Sequence, residues 1–310
     1  MIRVAVDAMG GDSAPQAEIA GVIQALAAFP NKFVIQLVGR PDVIEAELAK
    51  YPAADRKQLE IHEAPEVIGM GEKPLAAVRS KRKSSIVVGL GMQKAGKSDA
   101  FVSAGNTGAI LAASTILLGL HDGVERATVA TLFPTSSQPV LVLDGGANVD
   151  CSPRELVGFA YLGTVYMRDV LDRPSPTVGL LNVGEEDEKG NAITREAHAL
   201  LKRSPRLHFI GNMEGRDIIA GHHKYGVVDV VVCDGFVGNV ILKFYESVGH
   251  FFVNLVKERT PDVLGRPEIK ELFRFLDYSE YGGAPLLGVR QIVVIGHGSS
   301  NARAIRNAIR

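Results

Sequence analysis

The sequence is nearly free of cysteine: Cys151 and Cys233 are the only two in 310 residues. Two thiols cannot build a disulfide framework in a chain this long, which points to a reducing compartment. An excess of charge of one sign is also missing. The 34 basic and 35 acidic residues leave a formal charge of −1, so no broad positive field exists to hold nucleic acid. The longest apolar run, residues 109–120, falls short of the roughly 20 residues a membrane-spanning helix needs. The opening MIRVAVDAMGGD reads as a strand interrupted by Asp7, not as a secretion signal. A soluble cytoplasmic protein is the expectation.

Several catalytic signatures are absent as well. There is no GxSxG elbow, no GxGxxG fingerprint and no CxxC pair, which argues against a serine hydrolase, a conventional dinucleotide fold and a thiolate metal site. His222 and His223 are adjacent, so their rings diverge on a strand or helix, and no metal is expected. Residues 91–98, GMQKAGKS, do match the phosphate-loop pattern. That loop needs a strand before it and a long helix after it. Here an apolar strand pattern, 100–103, follows at once, so the better reading is a helix capped by Gly96.

What the chain does have is glycine, 33 residues, and a regular alternation of strand and helix patterns. Strand candidates recur at 3–6, 33–38, 59–62, 100–103, 140–143, 177–182, 207–210, 227–233 and 291–295. Most are continuous β-branched runs, not alternating ones, as in strands buried on both faces of a parallel sheet. Helical patterns lie between them, at 14–28, 42–50, 84–95, 108–118, 153–169 and 194–201. The expected fold class is α/β with a mostly parallel sheet. No linker divides the chain, so residues 1–310 are read as one interwoven domain. Within it, apolar residues at helical spacing, Val248 to Leu276, predict a projecting helical hairpin whose stripes pack on each other and on a second subunit.

Five strand ends mix glycine with polar residues: Asp7-Ala8-Met9-Gly10-Gly11-Asp12, Ser103-Ala104-Gly105-Asn106-Thr107-Gly108, Asp144-Gly145-Gly146-Ala147-Asn148, Asp234 to Asn239, and His297-Gly298-Ser299-Ser300-Asn301. In open α/β sheets, ligands gather at the carboxyl ends of strands, and helix N-termini there present free N–H groups to anions. Five such turns predict a polar cleft. In it Gly105 and Gly108 let the backbone approach an anion, while Asn106 and Thr107 add side-chain donors. Asn106 or Thr107 acting only as a helix cap is the alternative. Lys189 is the one cation in the acidic loop 182–191, either solvated or a mobile clamp on phosphate. Cys151 reads as a buried or capping thiol. The densest basic run, Arg79, Lys81, Arg82 and Lys83, is a solvated helix face or a seat for an acidic protein.

Eight motifs occur in a fixed order: DAMGGD (7–12), SAGNTGA (103–109), LDGGAN (143–148), LLNVGEEDEKGN (180–191), FIGNMEGRDI (209–218), CDGFVGN (233–239), EYGGAPLLGV (280–289) and HGSSNARA (297–304). Together they resemble the PlsX family, bacterial acyl-acyl-carrier-protein:phosphate acyltransferases of phospholipid synthesis, over essentially the whole chain. The resemblance implies an α/β sandwich of the isopropylmalate dehydrogenase and phosphotransacetylase type, and an interlocked homodimer. It implies reversible transfer of a long-chain acyl group from acyl carrier protein to inorganic phosphate, with no nucleotide or metal. The acyl phosphate product goes on to acylate glycerol 3-phosphate through a downstream acyltransferase.

A thioester is already activated, so phosphate can attack it directly if the enzyme positions the dianion and stabilises the oxyanion. Through the resemblance, the SAGNTG turn becomes the phosphate cradle. Lys189 neutralises phosphate or oxyanion, and Asn239 donates to the carbonyl oxygen. His297 and Ser299 complete the anion site or act on the leaving thiolate. Asp7, Gly10, Gly11, Asp144, Asn148 and Asp234 line the substrate site by orienting donors or capping turns. Arg79, Lys81, Arg82 and Lys83 become the carrier-protein dock. Relatives run on past the point where Arg310 ends this chain, so a shortened terminal helix is expected. Family members attach peripherally to the inner face of the cell membrane through a hairpin tip. Here the tip, 257–270, is polar apart from Val263 and Leu264, so weak or absent attachment is expected. Two other readings stay open: a short-chain phosphate acyltransferase acting on acyl-coenzyme A, and a non-catalytic acyl- or phosphate-binding regulator.

Overall fold

The structure is a computed structural model and describes residues 1–135, 138–263, 265–269, 271, 280 and 282–310. The chain divides into two compact units, Met1–Gly123 with Tyr278–Arg310, and Val124–Asp277. The first unit runs β1 (Ile2–Asp7), α1 (Gln16–Ala28), β2 (Phe33–Gly39), α2 (Pro41–Leu48), β3 (Leu59–Glu63), α3 (Pro74–Ser80), α4 (Ser85–Lys94), β4 (Ala100–Ser103) and α5 (Thr107–Leu117). The second runs β5 (Thr128–Val129), β6 (Thr131–Phe133), β7 (Val140–Leu143), α6 (Pro153–Asp169), β8 (Thr177–Leu181), α7 (Ala192–Lys202), β9 (His208–Met213), α8 (Gly215–Ala220), β10 (His222–His223), β11 (Gly226–Val227), β12 (Val230–Val232) and α9 (Gly235–Arg259). The chain then returns to the first unit as β13 (Ala284–Leu287), β14 (Ile292–Ile295) and α10 (Ala302–Ile309).

In the first unit the sheet order is β3-β2-β1-β4-β14-β13. All neighbours are parallel except β13, which runs antiparallel to β14. β-branched strand residues such as Val4, Val6, Ile35 and Val102 pack with Ile19 and Val22 of α1 and Ile305 of α10 into one buried core. Gly21 makes the α1–α10 contact possible, since a Cβ there would meet Ile305 Cβ at 2.5 Å and the Ala302 carbonyl at 2.7 Å. α4 ends in a Schellman motif: Gly96, at φ +69°, donates to the Gln93 carbonyl at 3.0 Å and Lys97 to that of Met92 at 2.9 Å. The GMQKAGKS segment is thus a helix end feeding a strand.

In the second unit the order is β6-β7-β12-β8-β9, parallel except for β6. β10 and β11 form a separate antiparallel hairpin. The expected strand over 227–233 is broken at Asp229, whose carboxylate accepts from the Thr177 N–H at 2.9 Å, leaving β12 only three residues long. The core joins Phe133, Val140, Val142, Met213 and Val231 to the inner face of α9.

α9 differs most from expectation. It starts at Gly235, capped by Asp234, and not near Val248. Phe236, Val240, Phe244, Phe251, Phe252 and Leu255 lie exposed along it. Leu272, Phe273 and Leu276 of the expected second arm, and Leu264 of the expected tip, fall outside the described residues. Among those described, no helix is long and apolar enough to cross a membrane.

Candidate active site

The glycine-rich turns are not ranged along one sheet. Three close strands of the first unit and two close strands of the second. A single-sequence pattern marks strand ends but not which sheet each strand joins.

In the first unit Asp7 ends β1 fully buried. Its Oδ2 accepts from Ser103 Oγ at 2.7 Å and its Oδ1 from the Met9 N–H at 3.0 Å, while Ser103 Oγ in turn accepts from the Gly105 N–H at 3.0 Å. Burial pushes the Asp7 carboxyl above its ordinary value, against the pull of Ser85 and Ser103. Asp7 is therefore a rivet between two strand ends. Gly10 fits against it only without a side chain, since a Cβ would meet Asp7 Oδ2 at 2.5 Å and the Gly105 nitrogen at 2.8 Å. Gly11 takes φ +109°, and Asp12 donates to the Gly298 carbonyl at 2.7 Å, tying the first turn to the last.

Asn106 caps α5, accepting from the Ala109 N–H at 3.0 Å through Oδ1. Its Nδ2 reaches the carbonyls of Gly69, Met70 and Glu72 at 3.2, 3.0 and 3.3 Å. The amide expected to meet an anion is thus spent on the loop 69–72. The donors left are the backbone N–H groups of Thr107 and Gly108, which precede the helical ladder. Among the described residues nothing takes them up. Gly108 is also a packing glycine, as a Cβ would meet Pro74 Cγ at 2.6 Å. His297 Nδ1 lies 2.7 Å from Ser299 Oγ and accepts from the Ser299 N–H at 3.2 Å, so these two residues form one polar turn.

Glu18 was not marked by the sequence. It sits in the first turn of α1 beneath Gly11, 1% exposed, and burial pushes it up to about 8. An acid in a first helical turn reads as a dipole partner at the surface; only the phase of Ile19, Val22 and Ala25 hints that this one turns inward.

In the second unit Asp144 is wholly committed to its own turn. Oδ1 accepts from the N–H groups of Val129, Gly146 and Ala147 at 3.1, 3.2 and 3.1 Å, and Oδ2 from the Asn148 N–H at 2.6 Å and Nδ2 at 2.7 Å. Burial still raises its carboxyl above the ordinary value. Asn148 Nδ2 also donates to the Ala127 carbonyl at 2.8 Å, while its Oδ1 is buried with no hydrogen-bond partner among the described residues. Asp234 caps α9 by accepting from the Val237 N–H at 2.8 Å. All three build the turn and leave no side-chain donor for a ligand. A Cβ on Gly238 would collide with the Asp144 carbonyl, so the first turn of α9 lies directly on this loop.

Asn239 has a different position. It stands exposed on α9 beside Gly146, where a Cβ would come within 3.1 Å of the Asn239 Cβ, and its amide makes no hydrogen bond to the described residues. Lys189 stands half-exposed on the loop 182–191, 4.0 Å from Glu186. The loop beneath it is pinned by Asn182 Nδ2 to the Lys189 carbonyl at 3.0 Å and by Asn212 Nδ2 to the Glu186 carbonyl at 2.7 Å. Both thiols are buried, and burial pushes Cys151 up to about 12, which excludes it as a nucleophile near neutrality. In the basic run, Arg79, Arg82 and Lys83 are exposed. Lys81 is drawn inward to Glu72 at 2.6 Å and the Val67 carbonyl at 2.7 Å, so it fastens the loop before α3.

The profile of the fatty acid synthesis protein family matches residues 2–310. The chain belongs to this family. A phosphate acyltransferase of Nostoc punctiforme is 47% identical over 100% of this chain and 91% of its own. Another from Heliobacterium modesticaldum is 46% identical, covering 100% and 92%. In fold this chain is similar to a Streptococcus pyogenes phosphotransacetylase, with a TM-score of 0.66, 16% identity and coverage of 99% and 92%. The EutD phosphotransacetylase of Staphylococcus aureus superposes with a TM-score of 0.61 at 15% identity, covering 99% and 91%.

Proposed function

We propose that this phosphate acyltransferase moves a long-chain acyl group from the thioester of acyl carrier protein to inorganic phosphate, and that its acyl phosphate feeds phospholipid synthesis. The observation that carries the reading is the start of α5. There the Asn106 side chain is diverted to the loop 69–72, and the N–H groups of Thr107 and Gly108 are open to an anion.

In the reaction a phosphate oxygen forms a bond to the thioester carbonyl carbon. The carbonyl π electrons move to oxygen, and the tetrahedral adduct collapses with loss of the carrier thiolate. A thiolate leaves without prior protonation near neutrality, since a thiol has a pKa of about 8.5. Asn239 donates to the oxygen as charge builds on it, and Lys189 offsets charge on phosphate or oxyanion. The His297–Ser299 turn holds the anion or receives the thiolate. Asp7 and Asp144 keep the backbone donors aimed. The exposed Arg79, Arg82 and Lys83 receive the acidic carrier, and the apolar stripe of α9 serves homodimer contact and the acyl chain.

The test is the loss of palmitoyl-carrier-protein thioester with product trapped by hydroxylamine. Acyl hydroxamate that requires added phosphate supports the reading. Turnover confined to short acyl-coenzyme A substrates replaces it with the short-chain reaction, and thioester loss without hydroxamate replaces it with hydrolysis.

A further inference from the structure

We propose that Glu185, Asp217 and His223 form a binding site for a zinc-class divalent cation, which locks the loop 182–191. Each residue offers one ligand atom, and these atoms lie within 4.8 Å of one another. They come from three separate elements of the second unit: the loop after β8, the helix α8 and the strand β10.

His223 supplies an independent sign of a ligand. The residue is 2% exposed, and neither ring nitrogen has a hydrogen-bond partner. Buried imidazole nitrogens are ordinarily satisfied, and a cation at this site would take up one of the orphaned pair. Nε2 points toward the carboxylate of Glu185, 4.0 Å from Oε2. Tetrahedral zinc, with bonds of about 2.0–2.2 Å, holds its ligand atoms roughly 3.5 Å apart, so a small contraction closes the set. Asp217 is held by its capping bond, accepting from the Glu214 N–H at 2.9 Å. One imidazole and two carboxylates suit zinc or a similar borderline metal, with water as a fourth ligand. Magnesium and calcium prefer all-oxygen shells.

Cations of the protein now hold Glu185: Lys224 Nζ at 2.7 Å and Arg216 at 3.5 Å. Both side chains are exposed, 49% and 72%, and swing into water without cost to the core. The metal and Lys224 therefore compete for one carboxylate. Glu185 lies on the loop that carries Lys189, so metal capture fixes one end of that loop. The site rests on its own geometry and stands whether or not the acyl-transfer reading does.

The test is zinc titration of the whole protein by calorimetry, with amide hydrogen exchange over residues 182–191. Expected are one zinc per chain with a Kd near or below about 10 μM, slower exchange across the loop, and no uptake of magnesium. Glu185→Gln and His223→Gln should each weaken binding by at least about tenfold, whereas Lys224→Met should tighten it several-fold. Glu185 is half-exposed, so its variant keeps the test alive if His223→Gln does not fold. Equal zinc affinity in wild type and Glu185→Gln overturns the proposal, as does a wild type that takes up no zinc at about 100 μM.

Discussion

Asn106 and Met70 are joined by one hydrogen bond, Nδ2 to the carbonyl at 3.0 Å, while the other end of the same amide caps α5. One side chain thus sets both the loop and the helix start beside it. Asn106→Asp keeps the cap and loses the donor to three carbonyls. Denaturant unfolding should show a loss of about 1–3 kcal/mol. Under the proposed reaction the phosphate KM should rise, because a carboxylate at the first turn repels the dianion. Unchanged stability and KM would remove Asn106 from both roles.

Asn239→Ala should cut turnover by roughly two to three orders of magnitude, the usual effect of losing an oxyanion donor. Its amide binds nothing else among the described residues, so the thermal midpoint should stay put. A variant with near-normal turnover disproves the assignment.

Glu18 predicts how stability varies with pH. Burial raises its folded pKa to about 8 from 4.5. The folded state then holds a proton that the unfolded state releases between these values. The group's stabilising contribution is complete below about 4.5 and lost as pH climbs through about 8. The total is on the order of a few kcal/mol. Glu18→Gln should flatten this slope in urea titrations across the window, and an equal slope in both proteins refutes it.

The basic run should divide by behaviour. Reversing Arg79 and Lys83 together should raise the KM for the carrier substrate and weaken its salt dependence, as for exposed steering charges. Lys81→Glu should instead lower stability, since Lys81 fastens Glu72 and the Val67 carbonyl. If all the reversals act alike, these residues do not have separate roles.

Much of this architecture was legible because buried strands write themselves as short unbroken apolar runs and helices as a period near 3.6; the strands 100–103 and 140–143 and the helix 153–169 agree with the observed elements at both ends. α3 and α8 are short, and their pattern is too brief to stand out. The start of α9 was hidden because its first turn, Gly235 to Gly238, looks like a loop; those glycines are there for contact with the Asp144 turn. The polar turns were legible as turns. What each polar atom does was not: Asn106, Asp144 and Asn148 look like ligand groups, and only three-dimensional neighbours reveal that they serve the backbone. The grouping of Glu185 with Asp217 and His223 leaves no trace in spacing, because three distant segments supply it.

β14 lies between β4 and β13, in the interior of the first unit's sheet, although it is nearly the last element of the chain. During synthesis β4 must therefore wait with an open edge while the whole second unit, Val124–Asp277, emerges from the ribosome. The second unit can close as soon as its last residues are out. The unit that begins the chain is the last to be finished, and the turn bearing His297 arrives with the strand that finishes it.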